Sequence, residues 1–131
     1  MSFRKISQDA AEAFMRGDKF SRGNTKVQRD GVLVQLRLHG NLIAERSIHS
    51  TDVQVRLAGW NTRTTRGRVN AVAEYFNPSW GFSQRDFGVY FNEVEVDPDQ
   101  WVMLWHSAST PQWGFEWRVQ VPLAQMLESN K

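Results

Sequence analysis

The feature that most limits what this chain can fold into is a two-residue alternation that dominates residues 26–58. Val32, Val34, Leu36 and Leu38 fall on one side of it, with Gln35 and Arg37 on the other. Further on, Val53, Val55 and Leu57 alternate with Gln54 and Arg56. A pleated strand turns successive side chains to opposite faces, so the pattern predicts strands with one buried face. Turn signals at Asp30-Gly31 and Gly40-Asn41 break the run at hairpin spacing. Three or four antiparallel strands follow, with Gln35, Arg37, Gln54 and Arg56 on the outer face.

The segments on either side change period. Ser7 is placed to cap a short helix carrying Ala10, Ala11 and Phe14, with Ile6 just outside and Gly17 as its stop. Residues 18–24 read as a polar, basic linker. Gly59-Trp60-Asn61 closes the meander, and Thr62, Thr64 or Thr65 caps a second helix running to about Phe76. Its Val69, Val72, Ala73 and Phe76 make one apolar stripe, and Asn77-Pro78 stops it. Short aromatic strands are predicted at 82–85, 87–91 and 101–106, and a last one at 115–121. Pro122 then opens a terminal helix that Leu123, Met126 and Leu127 can dock. The predicted class is α+β: one domain over residues 1–131, built as a bent antiparallel sheet packed by two or three short helices. Strand order does not follow from the pattern.

Composition narrows the function. With no cysteine among 131 residues there is no disulfide framework, thiolate metal site or cysteine nucleophile. No apolar run approaches the roughly 20 residues that cross a bilayer, and the charged first nineteen residues lack the apolar region of a secretory leader. Net charge is only +2, yet residues 1–68 hold thirteen of the sixteen Lys/Arg and only six of the fourteen acids. A basic half suits a polyanion. Twelve of the sixteen are Arg, whose planar fork fits phosphate and stacks on bases, although a GC-rich genome yields the same bias. Twelve of the sixteen aromatic residues lie between Tyr75 and Trp117.

Signs of catalysis are sparse. His39, His49 and His106 are scattered without metal-ligand spacing, and no nucleophile elbow or P-loop is present. Glu93, Glu95, Asp97 and Asp99 are the one acidic group. Such a row can hold a divalent ion for nuclease chemistry, but a solvated strand face that discourages edge pairing explains it more simply. No enzyme, cofactor or metal is expected.

Nucleic-acid features are better represented. Trp60-Asn61-Thr62-Arg63-Thr64-Thr65-Arg66-Gly67-Arg68 gathers an aromatic ring, three arginines and hydroxyls at a helix start, where an anion is favoured. Lys19, Arg22 and Lys26 extend the same surface if the fold brings them there, and Arg56 faces outward from the meander. Trp60 and Trp80 are the stacking candidates. The competing readings are a core role for Trp60, a solvated helix start for Arg63 and Arg66, and a structural hydrogen bond for Arg68. No duplex-reading motif is present, and dispersed Arg with surplus aromatics favours single strands. The alternative is a protein-interaction module whose acidic, aromatic half, residues 93–117, meets a basic partner.

Four pieces are distinctive together: Ile6-Ser7 leading to Ala13-Phe14 and Gly17; Gly23-Asn24-Thr25; Leu38-His39-Gly40-Asn41-Leu42-Ile43-Ala44; and Gly59-Trp60-Asn61-Thr62-x-Thr64-Thr65-x-x-Arg68-Val69-Asn70. On them, the stretch from Phe3 to about Trp101 resembles a family of small proteins of tailed bacteriophages. A single-stranded-DNA-binding cofactor of a podophage RNA polymerase is similar in size and character. The resemblance implies work in phage transcription or replication in the cytoplasm of the infected bacterial host, with single-stranded DNA and a phage RNA polymerase as partners. It marks residues 1–101 as the family-like core and 102–131 as an addition packed on or extending it. Trp105, Trp113, Phe115 and Trp117 in that addition suit a homodimer surface, a docking strand or a stacking platform.

Overall fold

The computed structural model describes residues 3–106 and 115–119. Among them the helices are α1, Phe3–Arg16, and α2, Arg63–Ala73. The first five strands are β1, Phe20–Arg22, β2, Thr25–Asp30, β3, Leu33–Leu38, β4, Asn41–Ser47, and β5, Val53–Val55. After α2 come β6, Phe82–Arg85, β7, Gly88–Phe91, β8, Val94–Val96, β9, Val102–His106, and β10, Phe115–Val119. The expected terminal helix after Pro122, and Trp113, lie outside the described residues.

The strands form two antiparallel sheets, one ordered β1-β2-β3-β4-β5-β9-β10 and a smaller one ordered β6-β7-β8. The α+β class and bent antiparallel sheet expected from the alternation are present. β9 and β10 continue the main sheet beyond β5, so residues 102–106 and 115–119 belong to the same sheet as the meander.

The inner face buries Val27, Val34, Leu36, Leu38, Ala44, Val53, Val55, Val102 and Leu104, at alternate positions along their strands. On it pack Ala10, Ala11 and Phe14 of α1 and Val69, Val72 and Ala73 of α2, with Phe76 just past the helix. Val32 is a correction. It stands in the Gly31-Val32 hairpin loop, half exposed, because a loop residue leaves the pleat.

Two N-terminal expectations are also corrected. Ser7 does not cap α1, which starts four residues earlier. Its hydroxyl is buried and accepts a hydrogen bond from Arg68 Nη1 at 2.7 Å. A tertiary partner removes the competition with the backbone that usually sends Ser to helix ends. The linker contains a strand, since β1 pairs with β2 across Gly23-Asn24 and Gly23 takes φ +60°. The α1 stop is as expected: Gly17 has φ +81° and Asp18 N donates to Ala13 O. Arg46 of β4 completes it by donating from Nε to Phe14 O and from Nη2 to Met15 O, a cation on the negative end of the helix.

The small sheet is tied to the main body through Asn70 and through Phe91, and its Val89 and Val96 enter the same core. Asn70 of α2 donates from Nδ2 to Phe82 O and accepts from Phe82 N through Oδ1. A Cβ on Gly81 would lie 2.9 Å from Asn70, so only glycine admits this approach. Phe91 packs edge-on to Phe82 at 5.0 Å and tilted against Trp117 of β10 at 4.9 Å, joining the two sheets by their rings.

Candidate nucleic-acid interface

With both helices and the Trp117 contact on the inner side, the main sheet's other face is uncovered among the described residues. Strand register builds a polar ladder across it. Gln28 Nε2 donates to Gln35 Oε1, Gln35 Nε2 to Glu45 Oε2 at 2.8 Å, and Gln54 Nε2 to Glu45 Oε1 at 3.1 Å. Gln35 is therefore buried despite facing outward, because its neighbours on the ladder enclose it.

One register step along is a row of cations. Lys26 stands directly opposite Arg37, and Arg37 opposite Leu42. Arg56 Nε donates to Leu42 O, and its guanidinium lies 4.3 Å from the centre of the Trp101 ring. Arg37 is steadied by Nη1 on Gly40 O and Nη2 on Gln35 Oε1. Beyond it, Arg118 lies over the Trp105 ring at 5.7 Å. Lys19 and Lys26 share a shallow groove on the β1–β2 hairpin with Arg29. Lys19, Lys26 and Arg56 thus meet on one face, and Arg37, Trp101, Trp105 and Arg118 join them.

A second cluster stands at the start of α2. Thr62 is the N-cap; its Oγ1 accepts from Thr65 N at 3.1 Å and lies 2.9 Å from Thr65 Oγ1. Arg63 is exposed in the first turn, and Arg66 Nη1 holds Asn61 Oδ1 at 2.5 Å. Trp60 is 58% exposed, so a core role for it is ruled out by position. Beside it a cavity of about 350 Å³ opens, walled by Leu38, Ile43 and Leu57, with His39, Asn41 and Thr64 among its polar groups.

Three expected contacts are corrected. Arg68 is only 3% exposed, and its Nε donates to Thr25 Oγ1 at 2.9 Å while Nη1 holds Ser7. Burial draws its pKa below the ordinary guanidinium value. It is a buried tie between α1, α2 and β2, out of reach of a phosphate. Arg22 lies on the inner side and pairs with Asp9 of α1 at 2.8 Å, stacked over Phe20. Hydrogen bonds from Lys5 and then Arg22 hold the Asp9 carboxyl below the usual carboxylate range. Trp80 packs against the core from the 77–81 turn, so its ring is no open platform.

Among the described residues, no three His, Asp or Glu side chains come together to hold a metal ion; Glu93, Glu95 and Asp97 each point into solvent. No described helix is long and apolar enough to cross a membrane.

The decisive comparison is with protein families. The model of the Kyanoviridae Gp96 protein, a phage family, matches residues 3–111. The chain belongs to the Kyanoviridae Gp96 family. The match passes Trp101 and takes in all of β9, the strand that carries Trp105 and seats Trp101 under Arg56. No curated protein and no solved structure matches this Gp96 family member. Alternation along β3 was the sequence signal that could have ranked Arg37 with Lys26. Nothing local could have placed Trp101 beneath Arg56, because β5 and β9 are almost fifty residues apart in sequence.

Proposed function

We propose that this Gp96 family protein is a non-enzymatic, single-stranded-DNA-binding protein. It works in phage transcription or replication inside the infected cell, beside a phage RNA polymerase. The observation that carries the reading is the row Lys26, Arg37 and Arg56 with Trp101 across a sheet face that no described residue covers. Guanidinium forks take phosphate oxygens while adjoining rings offer surfaces to unstacked bases. A sheet face of this kind, with rings beside its cations, accepts a splayed single strand more readily than a rigid duplex. The polymerase partner rests on the resemblance to the podophage cofactor.

The test is anisotropy of a labelled single-stranded oligonucleotide against salt, with a duplex control. Three neutralised phosphates give a log–log slope of about −2, or roughly 100-fold weaker binding over a tenfold rise in salt. A flat salt dependence, or equal affinity for duplex, rejects the reading.

A second reading has its own support. Phe87 is 98% exposed at the tip of the β6–β7 hairpin, where Asp86 and Phe87 have φ of +47° and +68°. Such a turn asks for Asn-Gly, and a bulky residue there is strained. Val94, beside Phe91 at the other end of the small sheet, is also exposed, between Glu93 and Glu95 in sequence. A strained, exposed aromatic tip next to Asp86 suits anchoring in a basic partner protein. Phe87→Gly is expected to raise stability by about 1 kcal/mol in urea titrations, since glycine takes positive φ freely. In a pull-down from infected cells the same variant loses its protein partner if this reading holds. A variant less stable than the parent contradicts the strain argument.

A further inference from the structure

The cavity beside Trp60 is separate from the cationic row, yet the two share the β3–β4 hairpin. Arg37 Nη1 holds Gly40 O from the outer side, while His39 and Asn41 line the cavity. We propose that this cavity receives one base of a bound single strand, an assignment that rests on the single-stranded-DNA reading above.

Size and chemistry both point to a base. About 350 Å³ is at the small end of ligand pockets, enough for one flat heterocycle and its sugar. Leu38, Ile43 and Leu57 give apolar walls for the faces of a ring, and the exposed Trp60 indole stands at the lip as a stacking partner. A base also has a polar edge, and the cavity offers groups for it. The side chains of Asn41 and Thr64 make no hydrogen bond among the described residues, so donors and acceptors remain for a ligand.

His39 is set in place by a chain of hydrogen bonds from the interior. Arg68 Nε donates to Thr25 Oγ1, and Thr25 Oγ1 donates to Asn24 Oδ1 at 3.0 Å. That fixes the Asn24 amide, whose Nδ2 reaches His39 Nε2 at 3.1 Å. Because an amide nitrogen only donates, His39 Nε2 accepts and the ring proton sits on Nδ1. The imidazole therefore presents an N–H donor in a ring that lines the cavity. The backbone helps to hold it there, since His39 and Gly40 both have positive φ, +52° and +83°, in the two-residue hairpin turn. Arg68 is thus a positioning residue for the cavity, acting through Thr25 and Asn24.

The experiment compares a labelled oligothymidylate with an abasic strand of the same length, by anisotropy, for wild type, Trp60→Ala and His39→Gly. Glycine keeps the turn, and Trp60 is exposed, so both variants fold; circular dichroism checks this. Wild type is expected to prefer the base-bearing strand by about tenfold or more, the worth of one stacked base. The variants should bind the abasic strand as wild type does and lose about tenfold of that preference, keeping only what the sheet-face rings contribute. If Trp60→Ala keeps the full preference, or wild type binds both strands equally, the base site is overturned while phosphate binding stands. If wild type binds neither strand, the single-stranded-DNA reading falls and the base site with it.

Discussion

Replacing Arg68 by alanine is expected to destabilise the protein by roughly 3 kcal/mol, a loss that a urea titration would resolve. The guanidinium is almost fully buried and joins Ser7 on α1 to Thr25 on β2 from its own place on α2. Truncation leaves two buried hydroxyls without their donor and opens a void where three elements meet. Lysine should recover little, because one ammonium cannot reproduce a fork that reaches two hydroxyls at fixed angles. The triple change Ser7→Ala, Thr25→Val, Arg68→Leu should regain part of the loss by removing the unsatisfied groups together. A stability unchanged in Arg68→Ala would mean the tie is not what holds α1 to the sheet. The same variant should loosen His39, whose tautomer depends on Thr25 and Asn24, and so weaken base preference more than phosphate binding.

The double change Arg37→Ala, Arg56→Ala is expected to lower single-stranded-DNA affinity by about 100-fold at low salt, each charge-assisted contact being worth roughly tenfold. The salt slope should shrink by about 1.4, the share of two phosphates on a single strand. The slope is the more telling readout, since a misfolded protein loses affinity without a defined change in counterion release. Arg56→Lys separates the two roles of that residue. It keeps the charge, and so the slope, but gives up the guanidinium contact with the Trp101 ring at 4.3 Å. Stability should fall by about 1–2 kcal/mol in the double variant, because the bond to Gly40 O is exposed and that to Leu42 O only partly buried. Unchanged affinity and slope would move the site off the sheet face, leaving Arg63 and Arg66 at the α2 start to be tested next.

The most specific stretch of the sequence, residues 59–70, turns out to be largely architectural. Thr62 caps α2, Thr65 bonds back to it, Arg68 ties three elements, Val69 enters the core and Asn70 holds β6. Trp60 and Thr64 are left facing the cavity. A motif read from sequence reports that residues matter, not whether they matter for folding or for a ligand.

The sequence by itself determined the local elements. A period of two marked the meander, a stripe at helical spacing marked α2, and turn residues marked the hairpins, because strand and helix periodicity are written in neighbouring residues. Ser7 escaped that reading because a distant partner, Arg68, takes its hydroxyl, and β1 because three residues are too few to show a period. Which arginines face solvent was likewise settled by tertiary structure. Arg22 and Arg68 look like Arg37 and Arg56 in sequence, yet the first pair is spent on Asp9, Ser7 and Thr25. The second pair stands on the face that no described residue covers, with Trp101 brought beneath Arg56 by the pairing of β5 with β9. Pairing between strands so far apart in sequence is decided by how the whole core closes, and the residues flanking either strand carry no record of it.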